Sequence, residues 1–413
     1  MVDLKRVMWI CHWESPYEEE WKGGMGIYMR TVGRELTHRG YDIDVFTPRI
    51  GDRPAIQELD PHFRVIRVDV NGTHGDIRNS QHMHDFSEAV RGYVRRNGER
   101  YGLAHAHYFS SHGTGITMKS EGIPYVIQLH QLYKPRPILF AEAGIEMEVP
   151  IDPRFFEYEI TAVEEADKVI FVSHSQKEDF RQFYYNGQMP EQVDRKITVV
   201  HNGVDTRHFR PAKPGEIRRL KRNYVGYSDA YVLGFVGRLA PLKAAGRILE
   251  GFNHLDPKHR QNTHVAVTGE GPDIQHLEKM SRDIGVYDRV HFYGYQTGDD
   301  LLDRYQMSDI GIIPTVRETF GLCVAEFMAC GKPVIVWKGS GGPEEVVGES
   351  GIVVSSSEEL ANTVTRLLDN KNERRQIGRM ARERCVNNFD IRFTAENLAK
   401  IYGELSEKNV PVF

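Results

Sequence analysis

Short apolar runs punctuate the chain, separated by longer stretches whose apolar residues recur at helical spacing. Runs at 7–11, 42–47, 64–70, 103–107, 124–129, 167–172 and 196–200 read as buried strands. An amphipathic helix from about Gly26 to Arg39 lies between the first two. The pattern then restarts, with runs at 231–236, 263–268, 289–293, 309–313, 333–336 and 351–354. Strands alternating with helices predict parallel sheets joined by right-handed crossovers, hence an α/β fold with two doubly wound domains. In such sheets ligands gather beyond the carboxyl ends of the strands. Residues 131–153, with Pro135, Pro137, Pro150 and Pro153, break the pattern and predict a long loop or short-helix insertion. A last helix is expected from about Ile391 to Leu405, with an apolar face of Phe393, Leu398, Ile401 and Tyr402.

Composition sets the frame for these elements. With 413 residues, 40% apolar and 27% charged, the chain has room for two full cores. Pro211 and Pro214 follow the segment His201-Asn202-Gly203-Val204-Asp205 and mark a linker, which places the boundary near residue 210. A net charge of −5 without a basic stripe speaks against a nucleic-acid binder. Cys11, Cys323, Cys330 and Cys385 form no C-x-x-C pair and no zinc spacing, so reduced thiols and no metal are expected. The first apolar run is too short for a signal peptide, and no stretch is long enough to cross a bilayer. A cytoplasmic enzyme, at most peripherally in contact with a membrane, is the expectation.

The chemistry concentrates at the strand tips. Residues 317–331, Arg-Glu-Thr-Phe-Gly-Leu-Cys-Val-Ala-Glu-Phe-Met-Ala-Cys-Gly, place Glu318 in a loop and Glu326 in the helix that follows. The N–H groups near Phe320, Gly321 and Leu322, at the positive end of that helix, suit a phosphate. Gly237-Arg238-Leu239 ends an earlier strand, and Lys243 comes five residues after the arginine. Arg238 offers a planar fork and Lys243 a point charge, a pair that suits a diphosphate. Gly294-Tyr295-Gln296 forms another tip loop. In the first half, Gly23 and Gly24 follow strand one too late to be a G-x-G-x-x-G dinucleotide fingerprint. His107 and His130 end two further strands, and His105 lies two residues before the former.

These motifs, above all the two glutamates with seven residues between them, Phe-Gly-Leu after the first and Ala-Cys-Gly-Lys-Pro-Val-Ile after the second, resemble the donor-site signature of retaining glycosyltransferase family 4. The resemblance implies the GT-B fold, two Rossmann-like domains facing across a cleft: residues 1–210 for the acceptor, 211–390 for the nucleotide sugar, and a helix in 391–413 crossing back to the first domain. It implies a hexosyltransferase that uses a nucleotide diphosphate sugar, UDP-linked in many relatives, as co-substrate and needs no other cofactor. Glucose or N-acetylglucosamine is the sugar expected on the same ground, and the acceptor is a hydroxyl of a small molecule or glycan. Arg238 and Lys243 would stabilise the departing diphosphate, Glu318 would bind a sugar hydroxyl, and Glu326 the ribose. Tyr295 would meet the base through its backbone, while Gly23 and Gly24 would let the chain approach the donor. His130 would orient the transferred sugar near the acceptor, and His107 would shape the acceptor side. No D-x-D stands where a metal-assisted donor site would place one, so independence from divalent ions is expected. Glu14, Glu18, Glu19, Glu20, Glu142, Glu146 and Glu148 would make the acceptor mouth acidic, which suits a cationic acceptor such as an aminocyclitol. A nucleotide-sugar epimerase of similar fold and a non-catalytic nucleotide-sugar-binding protein remain alternatives.

Overall fold

The computed structural model describes residues 5–12, 24–70, 80–142, 144–145 and 151–408. The chain divides into two compact units. The first comprises Met1–Pro137, Glu148–Gly203 and Ile391–Phe413; the second comprises Val204–Asp390 with Ile138–Met147.

In the first unit the strands are β1 (Arg6–Ile10), β2 (Asp42–Pro48), β3 (Ile56–Asp60), β4 (Phe63–Val68), β5 (Leu103–His107), β6 (Tyr125–Leu129), β7 (Lys168–Phe171) and β8 (Ile197–Val199). They form one sheet in the order β3-β4-β2-β1-β5-β6-β7-β8. Every described pairing is parallel except β3 with β4. The central strands are buried on both faces, which is why they read as continuous apolar runs. Strand β3 was not expected from the sequence: Ile-Gln-Glu-Leu-Asp is a mostly polar edge strand with exposed and half-exposed residues. The segment expected as a loop or short-helix insertion contains the helix Arg136–Glu142.

The helix Ile391–Lys408 completes this unit by packing on the helix Gly24–Thr37. Its buried stripe is Ile391, Ala395, Leu398, Ile401, Tyr402 and Leu405. Phe393, expected on that face, is instead 40% exposed, because it lies off the stripe that runs from Ile391 in steps of three and four residues. Tyr402 is fully buried, and its hydroxyl accepts from Trp9 Nε1 at 3.0 Å and meets His105 Nδ1 at 2.6 Å.

The second unit holds β9 (Tyr231–Val236), β10 (Thr263–Thr268), β11 (Val290–Phe292), β12 (Ile310–Ile313), β13 (Val334–Trp337) and β14 (Ile352–Val354). Their order is β11-β10-β9-β12-β13-β14 with every pairing parallel, the order of a dinucleotide-type doubly wound sheet. The order reverses beside β9, between β9 and β12, so the topology marks the tips of those two strands as the ligand-binding edge.

Candidate active site

The carboxyl tips of β9, β10 and β11 are laced backbone to backbone. Gly237 N–H donates to the Thr268 carbonyl at 3.0 Å, Leu239 N–H to Glu270 at 2.8 Å, and Gly269 N–H to Gly294 at 2.8 Å. Such close approach demands glycine at two positions. A Cβ on Gly269 would fall 1.9 Å from the Gly237 oxygen, and one on Gly271 would fall 2.0 Å from the Leu239 oxygen. Arg238 sits in this lacing with its side chain exposed and without an ion pair among the described residues. Tyr295 follows the lacing at the β11 tip, where its N–H donates to Glu270 Oε1 at 3.3 Å.

Beyond the lacing, a single 3₁₀ turn, Pro241–Lys243, is fastened to the loop after β12: Thr315 Oγ1 and Val316 N–H both donate to the Leu242 carbonyl at 2.9 Å. That attachment brings Lys243 Nζ to 2.7 Å from Glu318 Oε1, with the two side chains 25% and 22% exposed. Burial works against the Lys243 charge, and Glu318 more than offsets it, so the ammonium is held above the ordinary lysine value. The Glu318 backbone is clamped as well, its N–H donating to Ser340 and its carbonyl accepting from Gly342, both at 2.9 Å. The other carboxylate oxygen, Glu318 Oε2, is buried and has no hydrogen-bond partner. An unsatisfied buried carboxylate oxygen is costly, which makes it a receptor for a hydroxyl donor.

The helix Leu322–Ala329 begins just after this loop, with Gly321 at its N-cap in the left-handed region at φ 94°. Helix Leu322–Ala329 starts slightly later than the position the sequence suggested. The Phe320 ring is 2% exposed and packs edge-on against Phe389 at 5.7 Å, so only its backbone is placed for a ligand. Leu322 is half-buried. Cys323, in the first turn, feels both Lys243 and Glu318; burial first, then Glu318, pushes its thiol well up and keeps it neutral. Glu326, one turn further on, accepts a hydrogen bond from the Tyr305 hydroxyl. Burial pushes its carboxyl up to about 7, with the Tyr305 bond pulling the other way. Tyr305 comes from a different helix, Gly298–Met307, and nothing in the spacing of the sequence announces the pair.

In the first unit, His107 and His130 end β5 and β6 side by side, with His107 Nδ1 3.1 Å from His130 Nε2 and the rings stacked at 5.4 Å. His107 is completely buried, so any part it plays toward an acceptor passes through His130. His130 is half-exposed, and burial holds its imidazole down at about 3, neutral at ordinary pH. Tyr28 crosses it edge-on at 4.9 Å and donates its hydroxyl to Gln128 Oε1 at 3.0 Å. Tyr108 stacks on it at 6.2 Å. That tyrosine has φ 74° and ψ 157°, a region almost confined to glycine, which stores about 1–3 kcal/mol of strain. Neither Tyr28 nor Tyr108 stood out in the sequence. Gly24 opens the helix Gly24–Thr37. Gly23, and the acidic Glu14, Glu18, Glu19, Glu20, Glu146 and Glu148, lie outside the described residues; Glu142 is exposed on its helix.

The two units are doubly wound α/β units, with groups suited to an anion at the strand tips of the second. Residues 216–384 match the family model for glycosyl transferases group 1, and residues 22–208 match that for glycosyltransferase family 4. A D-inositol 3-phosphate glycosyltransferase of Salinispora tropica is 30% identical over 402 residues, covering 92% of this chain and 81% of that protein. Another of that name, from Acidothermus cellulolyticus, is 32% identical over 365 residues, 84% of this chain and 78% of its own. The chain therefore belongs to glycosyltransferase family 4. Among solved structures, sucrose-phosphate synthase from Thermosynechococcus elongatus superposes with a TM-score of 0.81 at 22% identity, covering 98% of this chain and 100% of that one. Anabaena HepE in complex with UDP gives 0.74 at 18% identity, covering 97% and 100%. These two likenesses bear on the fold. The protein is a glycosyltransferase that draws on a nucleotide-sugar donor, and the family does not favour the epimerase or sensor readings.

Proposed function

We propose that the protein transfers a hexosyl group, with retention of configuration and without a metal ion, from a UDP-sugar to a hydroxyl of a small polyol acceptor of the cyclitol type. The observation that carries the donor half is the Lys243–Glu318 pair at 2.7 Å with Glu318 Oε2 left buried and unpartnered. Breaking a sugar–phosphate bond drives negative charge onto the departing diphosphate, and groups that favour that charge lower the barrier. Lys243, the exposed Arg238 and the first N–H groups of the helix Leu322–Ala329 are the groups suited to it. Glu318 Oε2 then receives a hydroxyl of the transferred sugar, and Glu326 the ribose hydroxyls. His130 serves the acceptor side, with His107 behind it. Cationic side chains at the diphosphate take the place a metal would otherwise have.

For the acceptor, support comes from the relatives named for inositol 3-phosphate, and for UDP from the HepE complex. An aminocyclitol would suit the acidic residues of the sequence, and it belongs in the same acceptor panel. The test is a product assay over nucleotide sugars and cyclitols, with the anomeric configuration of the product read by NMR and a chelator present throughout. Glu318→Ala is expected to lower turnover roughly a hundredfold or more while UDP affinity changes little. Equal loss of both, an inverted product, or activity that vanishes with chelator would overturn the corresponding part of the proposal.

A further inference from the structure

The helix Arg154–Glu165 buries Phe155, Glu159, Ala162 and Val163 along one face. Glu159 is 0% exposed, a carboxyl in an otherwise apolar row. Such burial is expensive unless every lone pair finds a donor. Its donors come from two places, the loop after β6 and the helix His174–Tyr185. Tyr133 N–H donates to Glu159 Oε1 at 2.9 Å, the Tyr184 hydroxyl donates to Glu159 Oε2, and Lys134 N–H donates to the Tyr184 oxygen at 3.2 Å. Two successive amides of the loop leaving β6 thus end on one carboxyl–phenol couple.

That loop begins with His130. We infer that Glu159, with Tyr184, is a positioning residue that fixes the backbone downstream of His130 and so sets where the imidazole lies. On the upstream side the Leu129 carbonyl is already held: Gln176 Nε2 donates to it at 2.7 Å, while Gln176 Oε1 accepts from Val172 N–H at 2.8 Å. The upstream side of His130 is thus tied to β7 and its following helix, and Glu159 ties the 131–134 segment on the downstream side. A second path joins the same residues. The Tyr133 ring packs against Tyr108 at 6.2 Å and Phe109 at 5.1 Å, and Tyr108 is the ring stacked on His130. Moving the Tyr133 amide therefore moves the surface on which the imidazole rests. Releasing a strained Tyr108 would amplify that shift, because its φ of 74° persists only while its neighbours impose it.

The inference rests on the proposed part of His130 in transfer, and the test separates the two. Glu159→Ala, His130→Ala and the double variant are compared for kcat, for UDP affinity and for thermal midpoint. A misplacement of about 1 Å costs up to roughly a hundredfold in rate, so Glu159→Ala, which removes the acceptor of the Tyr133 amide, is expected to lower kcat by roughly ten- to a hundredfold. UDP affinity should stay within about twofold, since the residues proposed for the nucleotide lie in the other unit, and the double variant should be no slower than His130→Ala alone. Losses that multiply in the double variant, or a wild-type kcat for Glu159→Ala, overturn the positioning role. A wild-type kcat for His130→Ala instead overturns the reading of His130 itself, and with it the route assigned to Glu159. Should Glu159→Ala not fold, Tyr184→Phe removes the phenol that holds Lys134 and is read in the same cycle against His130→Ala.

Discussion

At Glu326 the proposed ribose contact meets a carboxyl that burial has pushed up to about 7. Protonation puts a donor hydroxyl where the ionised form offers acceptor lone pairs, so affinity for UDP-glucose is expected to fall by up to about tenfold per unit as pH drops below about 7. The Tyr305 bond pulls the carboxyl down, and Tyr305→Phe should therefore move that midpoint upward. Titration calorimetry across pH checks both, and a flat profile in the wild type would remove Glu326 from the ribose. Glu159 makes a parallel case in stability. Its carboxyl is pushed up to about 8 by burial, against an ordinary value of 4.5. Between those two values the folded chain keeps a proton that the unfolded chain gives up. The stabilisation is fully present below about 4.5 and is lost as pH rises through about 8, at up to about 1.4 kcal/mol per unit. Glu159→Gln cannot ionise, so its melting temperature relative to wild type is expected to climb steadily over that range. Individual residues of this kind were the least legible in the sequence. Tyr305 and Glu326 stand 21 positions apart on different helices, and only folding makes them neighbours. Glu159 left a trace, an acid on the Phe155–Ala162–Val163 stripe, which periodicity alone would have flagged as an interior carboxyl.

Among the elements, the tip lacing of β9, β10 and β11 is the most demanding piece of backbone in the second unit. Gly269→Ala would drive a methyl to 1.9 Å from the Gly237 oxygen, at a φ of 136° that side chains avoid. Backbone cannot step aside as a flexible side chain can, so a loss of about 1–3 kcal/mol or more is expected, along with weakened nucleotide binding. Denaturant unfolding with and without UDP measures both. A variant as stable and as tight-binding as wild type would show that the lacing is dispensable. At this scale the sequence spoke clearly where burial is two-sided. The inner strands, apolar on both faces, emerged with their ends nearly in place, whereas β3, half polar at an edge, gave no periodic signal. The helix Arg136–Glu142, within the expected loop or short-helix insertion, buries no residue, so no amphipathic stripe marked its limits. Helix Leu322–Ala329 was visible because glycines bracket it at Gly321 and Gly331, both with positive φ.

For the whole molecule, the two units have separate cores, and most of the residues proposed for the nucleotide sugar lie in the second. Calorimetry is expected to resolve two transitions, with UDP at a hundredfold its dissociation constant adding about 2.7 kcal/mol to one of them. A single transition raised as a whole would mean the units unfold together. Among the described residues no helix is long and apolar enough to cross a membrane. The junction motif at 201–205 and the prolines after it lie beside the break that falls between Gly203 and Val204, while Ile138–Met147 groups with the second unit. The acceptor was the least legible part, because the loops where its recognition was sought carry no fixed pattern of residue types, only the acidic residues that suggested an aminocyclitol.

The helix Ile391–Lys408 has a consequence for how the protein is made. Its Tyr402 hydroxyl is the partner of Trp9 Nε1 and of His105, yet the ribosome must translate all of Val204–Asp390 before that helix exists. At about 5–20 residues per second the nascent first unit waits roughly ten to forty seconds with one flank of its sheet bare, while the unit behind it is completed. A chaperone that covers Trp9 and its neighbours during that interval would be handling an unfinished domain rather than a misfolded one.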